Sequence, residues 1–305
     1  MVHDQETKAK LKAASVSILA NSSLIVVKLA VALFTGSIAI LAEAFHSLFD
    51  LLASVFAYLG IRQASKPADE EHHYGHEKFE NLSSLAQTLL IVLTAFFVIY
   101  ESIGRILDPH HTVSNIPVAA GIMLLTLIID IAVARYLHRI SGETASAALE
   151  ADAYHFSTDL WSAVAVLIGL GFVMLGFPVF DSVAAIIVAI LMLFVSYTLG
   201  RKSLLIMLDI SPPRDVVADM RAAIHGTRDV ENFHQLRVRQ SGSKLFADVH
   251  LRVKGSLSVR EGHALSHEVK RNLMKRHPRL KDVTIHIEPA DEEDLRFGRT
   301  KRKRR

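Results

Sequence analysis

The sequence has no cysteine in 305 residues. That excludes a disulfide framework and any thiolate metal site, so a bound metal must use histidine and carboxylate ligands. The helical H-E-x-x-H signature of zinc hydrolases is also absent. Basic side chains are scarce in the apolar stretches. Lys28 is the only Lys or Arg well inside the first five of them, and its stem is long enough to snorkel outward. The first apolar segment is too long for a signal-peptide core and lacks a cleavage site, so it is read as a membrane span.

What is present is apolar length. Half of the residues are hydrophobic and the mean hydropathy is +0.30, the composition of a membrane protein. Six stretches are long enough to cross a bilayer as helices: 13–34, 36–61, 79–103, 116–136, 147–176 and 180–205. The net charge is only +3, but its placement is uneven. Lys8, Lys10, Lys12, Arg62, Lys66, Lys78, Arg135, Arg139, Arg201 and Lys202 fall on one side, with little beyond Arg105 on the other. The positive-inside rule then puts both termini in the cytoplasm.

The expected fold is an all-α six-helix transmembrane bundle followed by a cytoplasmic α+β domain. Residues 1–12 form a cytoplasmic N-terminal segment, 13–208 the membrane domain and 209–290 the soluble domain. Pro212-Pro213 closes the last span. Helix 214–225, strand 233–240, strand 244–253, helix 259–277 and strand 282–287 give an αββαβ order. Ala247, Val249, Leu251 and Val253 alternate toward one face, as do Val283, Ile285 and Ile287. Ser241-Gly242 marks a hairpin turn. Residues 291–305 turn from acidic to strongly basic and are read as a disordered tail, with weak attraction to anionic lipid as its alternative role. No nucleic-acid partner is expected.

The second apolar stretch reads GSIAILAEAFHSLFDLLASVFAYLGI and places His46 and Asp50 one helical turn apart. The fifth repeats the spacing as His155 and Asp159. A single histidine in a bundle is best explained by interhelical hydrogen bonding. Two H-x-x-x-D pairs instead supply two imidazoles and two carboxylates, a donor set for a first-row transition metal. Zn²⁺ bound by two neutral imidazoles and two carboxylates is electrically neutral, which a membrane interior tolerates. When the ion leaves, protons are its natural replacement, so metal and protons compete for the same side chains. Glu43, one turn before His46, is read as lying outside the four-ligand set. Asp130 is expected near the cytoplasmic end of span four, beside Arg135 or an access route.

These paired motifs, the six spans and the αββαβ domain resemble the cation diffusion facilitator family over residues 11–289. The resemblance implies a homodimeric metal/proton antiporter in the lipid bilayer, exporting Zn²⁺ or a similar divalent ion from the cytoplasm. His46 matches the zinc-selective pattern; relatives with Asp there accept iron and cadmium. The absence of a long His-rich loop between spans four and five resembles bacterial members, hence a bacterial cell membrane. In the loop ASKPADEEHHYGHEKFE, Asp69, His72 and His76 match a second zinc site of bacterial members. His72 and His76 share a face only if that loop is helical, which Gly75 opposes, and a solvated acidic loop is the alternative; His73 could substitute as ligand. Lys78 and Asp209 match a charge pair. His234, His250, His263, His286 and Glu288 match a cytoplasmic binuclear site at the dimer interface. His250, His286 and Glu288 lie on the non-core face of their strands by alternation. His234 has the parity of Leu236 and Val238, so it fits only at a frayed strand start. His267, one turn from His263, is an alternative ligand.

A membrane metalloenzyme competes weakly, because four protein ligands leave no open coordination position for water. A metal sensor without transport would explain the ligand-rich soluble domain but not a metal site inside the bundle. An exporter of broader range, taking iron, cadmium or manganese, is the remaining alternative.

Overall fold

The computed structural model describes the backbone of residues 2–35, 38–107, 116–174 and 179–290. The tail read over 291–305 lies outside the described residues, as do the side chains of Glu43 and His46. Among the described residues, six long helices come first: α1 (Val2–Thr35), α2 (Ile38–Ala64), α3 (Phe79–Leu107), α4 (Ile116–Thr144), α5 (Ala147–Met174) and α6 (Val179–Met207). α1 and α4 run well beyond the stretches read from hydropathy, because polar helix formers extend them. In α1 the segment Asp4 to Lys12 is rich in Glu, Lys, Ala and Leu, so the helix runs unbroken from Val2. Three windows, Gln5–Val31, Phe79–Leu107 and Ser182–Met207, are long and apolar enough to cross a membrane among the described residues.

Packing divides these helices into two groups. Ala13 and Ala14 of α1, Ala57 and Ile61 of α2, Leu137 of α4 and Phe156 of α5 share one core. Ile91 and Ala95 of α3 pack on Ala189 and Met192 of α6 in another. Small residues at the contacts let the backbones approach closely. At the α2–α3 crossing, a Cβ on Gly60 would stand 2.3 Å from that of Ser83, whose hydroxyl donates to the Phe56 carbonyl at 2.6 Å. A buried polar junction also joins the groups: Lys10 Nζ donates to Glu80 Oε1 at 2.9 Å, and Ser146 Oγ to Glu80 Oε2 at 2.5 Å. Ser146 also accepts from the Leu149 amide, which satisfies an open donor at the start of α5.

Residues from Asp209 onward form a separate compact unit. Its elements are α7 (Arg214–His225), β1 (Asn232–Ser241), β2 (Lys244–Val253), α8 (Val259–Arg276) and β3 (Leu280–Pro289). The sheet order is β1-β2-β3, antiparallel between β1 and β2 and parallel between β2 and β3, with α8 as the crossover that parallel strands require. Ser241 pairs with Lys244, and Gly242 takes the left-handed conformation (φ 55°) at the first loop position. Ser258 starts α8 with a reciprocal capping box to Glu261. Val249, Leu251, Leu265, Val269 and Val283 form the core under α7 and α8. Leu251 is fully buried, so Leu251→Ala should destabilise this unit by about 2–5 kcal/mol in urea unfolding.

One element departs from simple alternation. Between His234 and Arg237 the β1–β2 register shifts, with His234 opposite His250 and Arg237 opposite Asp248. Gln235 sits there at φ 49°. The extra residue is a β-bulge, which resets which face the following side chains occupy. His234 therefore shares a face with His250 from within the paired strand, not from a frayed start.

Candidate metal centres

Three groups of ligand-type side chains converge among the described residues, each with ligating atoms within 4.8 Å of one another. The first lies inside the helical bundle: Asp50 from α2 with His155 and Asp159 from α5. His155 Nε2 is 3.1 Å from Asp50 Oδ1 and 3.8 Å from Asp159 Oδ2. The imidazole is buried, Asp50 nearly so and Asp159 partly open. His155 Nδ1 is buried without a hydrogen-bond partner, so Nε2 is the nitrogen aimed at the carboxylates. His46 precedes Asp50 by one turn of α2, and its side chain lies outside the described residues.

The surroundings differ from the sequence reading at two points. Lys28 does not snorkel outward: it is buried and donates to Ser47 Oγ at 2.8 Å. The reason is local charge, since Lys28 is an electrostatic neighbour of Asp130. Asp130 is not near a helix end either. It is buried midway along α4, in the electrostatic neighbourhood of Asp50, His155 and Asp159. A fourth carboxylate, Asp152, is fully buried one turn before His155; sequence reasoning passed over it. Its only signal was an acidic residue within an apolar helix.

The second group is Asp69, His72 and His76, in the connection between α2 and α3. The connection is not helical there, yet the ligands meet, because turns bring them together. Asp69 Oδ1 accepts from the amides of His72 (2.7 Å) and Glu71 (3.1 Å). Gly75, at φ 92°, donates to the His72 carbonyl at 2.9 Å and reverses the chain. His72 Nδ1 then lies 3.3 Å from Asp69 Oδ1 and His76 Nε2 3.1 Å from Oδ2. His76 Nδ1 is 3.0 Å from the Pro67 carbonyl, which must receive its proton and thereby leaves Nε2 as the ligating nitrogen. Amide donation from His72 holds the Asp69 carboxyl below its usual range, a carboxylate ready to bind a cation.

In the soluble unit, His234, His250 and Glu288 form the third group. Glu288 Oε2 is 2.8 Å from His234 Nε2, and Oε1 is 2.7 Å from His250 Nδ1. His286 Nε2 stands 3.6 Å from Glu288 Oε1, and its ring lies 4.8 Å from that of His250. Partial burial pushes the Glu288 carboxyl up, but hydrogen bonds from His250 and His234 outweigh it and leave the group below its usual range. His263 is exposed on α8, with its ring 4.5 Å from that of His267. Neither joins the cluster among the described residues of one chain.

Lys78 donates to the Met207 carbonyl at 3.2 Å, and Asp209 lies 3.4 Å from Arg239 Nη1.

Comparison with known proteins adds to this geometry. The cation efflux transmembrane domain matches residues 14–208, and the cation efflux protein cytoplasmic domain matches residues 212–290. The chain is 30% identical to the cation-efflux pump FieF of Klebsiella pneumoniae over 88% of its own length and 89% of that protein. It is 32% identical to the FieF pump of Salmonella schwarzengrund over the same shares. Among solved structures, the metal-bound C-terminal domain of the CzcD transporter from Thermotoga maritima is 32% identical; the match covers 27% of this chain and 98% of that one, with a TM-score of 0.26.

Proposed function

This chain belongs to the cation efflux family of bacterial cation diffusion facilitators, membrane transporters rather than enzymes, and from that premise we propose that it exports Zn²⁺ in exchange for protons by alternating access. The observation that carries this reading is the convergence of Asp50, His155 and Asp159 within the bundle. His46, one turn from Asp50 on α2, would complete a four-ligand set. Two imidazoles and two carboxylates suit zinc and neutralise its charge in a poorly solvated place. Release of the ion leaves the carboxylates to be matched by protons, which couples the two fluxes. The split of the helices into α1/α2/α4/α5 and α3/α6 cores offers two bodies that can move against each other.

In this reading all six helices span the membrane within 13–208, and both termini face the cytoplasm, 1–12 included. Residues 209–290 form the cytoplasmic domain, where zinc at His234, His250, His286 and Glu288 draws two copies together. His263, or His267, would then be supplied across the dimer. Asp69, His72 and His76 form an accessory zinc site, and Lys78 and Asp209 act as a charge pair at the cytoplasmic edge. Residues 291–305 are a basic tail.

The test is purified protein in liposomes carrying a zinc dye and a pH dye. Zinc-dependent proton movement is expected; tight zinc binding without flux would make the protein a sensor. Zinc preference rests mainly on His46, so His46→Asp should retain transport and admit cadmium or iron, because exchanging an imidazole for a carboxylate changes the donor type and geometry that suit zinc. An unchanged metal profile in that variant would show that selectivity lies elsewhere.

A further inference from the structure

The bundle holds a buried oxygen cluster that the four-ligand site does not use. Asp152 of α5 is fully buried. Its Oδ1 accepts from Ser54 Oγ of α2 at 3.1 Å, while Oδ2 has no hydrogen-bond partner. Ser54 Oγ lies 2.5 Å from Ser17 Oγ of α1 and accepts from Asn21 Nδ2 at 2.9 Å. Asn21 also donates to the Asp50 carbonyl at 3.1 Å. A buried carboxylate with one unmatched oxygen inside a membrane bundle is costly and calls for a cationic or hydrogen-bonding partner. Among the described residues, no Lys or Arg pairs with it.

Its position says which partner. On α5 the order is Ser146, Asp152, His155, Asp159, so Asp152 stands about 9 Å along the axis from Ser146 and about 4.5 Å short of His155. On α2, Ser54 is one turn from Asp50, on the side toward Arg62. On α1, Ser17 and Asn21 follow Lys10 in the same direction. Three helices thus carry oxygen donors stepwise from the Lys10–Glu80–Ser146 junction toward the ligands Asp50, His155 and Asp159. A hydroxyl that donates to a carboxylate can turn its lone pairs to a cation when one arrives.

We propose that Asp152, Ser54 and Ser17 form an oxygen-lined access subsite, which takes the divalent cation before it passes to Asp50, His155 and Asp159. The inference rests on the transport reading of those three residues. An all-oxygen subsite is hard and unselective, so discrimination stays with the imidazoles while Asp152 governs capture. A purely structural stitch between α1, α2 and α5 would leave the zinc dependence of flux unchanged.

The experiment measures initial zinc flux against zinc concentration in liposomes for wild type, Asp152→Asn, Ser54→Ala and the Ser17→Ala/Ser54→Ala pair. Thermal melting checks that each is folded. Asp152→Asn should raise the half-saturating zinc concentration about 10-fold or more, and the serine variants should raise it less, in the same direction. Tight zinc binding should persist in Asp152→Asn when the loop and cytoplasmic ligands are replaced by alanine. Unchanged half-saturation in the variants, or in the serine pair alone if Asp152→Asn fails to fold, overturns the subsite. Loss of the tightly bound ion in Asp152→Asn also overturns it, by making Asp152 part of the transport site. Absence of zinc flux in wild type would instead contradict the transport reading and remove the subsite with it.

Discussion

Asp159→Ala is expected to reduce zinc flux at least about 100-fold, to the level of empty liposomes, while zinc binding by the soluble unit is unaltered. Asp159 is the more open of the two carboxylates beside His155, with 19% of its side chain exposed. Its loss leaves one carboxylate against a divalent ion, so the bound complex carries uncompensated positive charge inside the bundle. That penalty, several kcal/mol for a desolvated charge, is larger than the loss of a single coordinate bond would suggest. Asp50→Ala should behave alike for the same charge reason. The soluble unit is unaffected because its core and its histidine cluster are built from residues 209–290 alone. Retained transport in Asp159→Ala would remove this site from the mechanism.

The second large effect is expected at Glu288. Its two oxygens each hold one imidazole, Oε2 with His234 and Oε1 with His250, while His286 stands nearby. One carboxylate thus both neutralises a cation and fixes two rings in place. Glu288→Ala removes the negative charge and the orienting hydrogen bonds together, so zinc affinity at this cluster should fall about 100-fold or more. Glu288→Asp, one methylene shorter, should recover part of it if His286 remains in reach. Calorimetric titration of zinc into the soluble unit measures both, and an Ala variant with wild-type affinity would show that the histidines bind without it.

The helical spacing of these groups was legible because period fixes direction. His155 and Asp159 are four apart on α5 and so share one face of it; their meeting with Asp50 comes from the packing of α2 on α5. In the soluble unit, alternation placed His250 and Glu288 on one face for the same reason. His234 defied parity because a bulge at Gln235 inserts one residue into β1, and nothing in the local residue types announces a left-handed glutamine. The loop cluster is not legible from spacing, because Gly75 opposes the helix that a shared face of His72 and His76 requires. That glycine instead supplies the reversal that brings His72 and His76 to Asp69. Asp130 and Asp152 were harder. Asp130 is a single acid in the apolar part of α4, while Asp152 shares α5 with Glu150 and Asp159 and is not set apart by residue type; what surrounds them is fixed by helix packing across α1, α2, α4 and α5. The inward turn of Lys28 belongs to the same class, since a long side chain takes its direction from neighbours absent from its own helix.

Zinc-edge X-ray absorption tests the central claim most directly, on full-length protein whose loop and cytoplasmic ligands are replaced by alanine. The account predicts one tightly bound zinc with four nitrogen and oxygen ligands near 2.0–2.1 Å, about two of them imidazoles. Its occupancy should vanish in Asp159→Ala. A protein that binds no zinc in the bundle, or binds it equally without Asp159, would contradict the assignment of Asp50, His155 and Asp159 as the transport site.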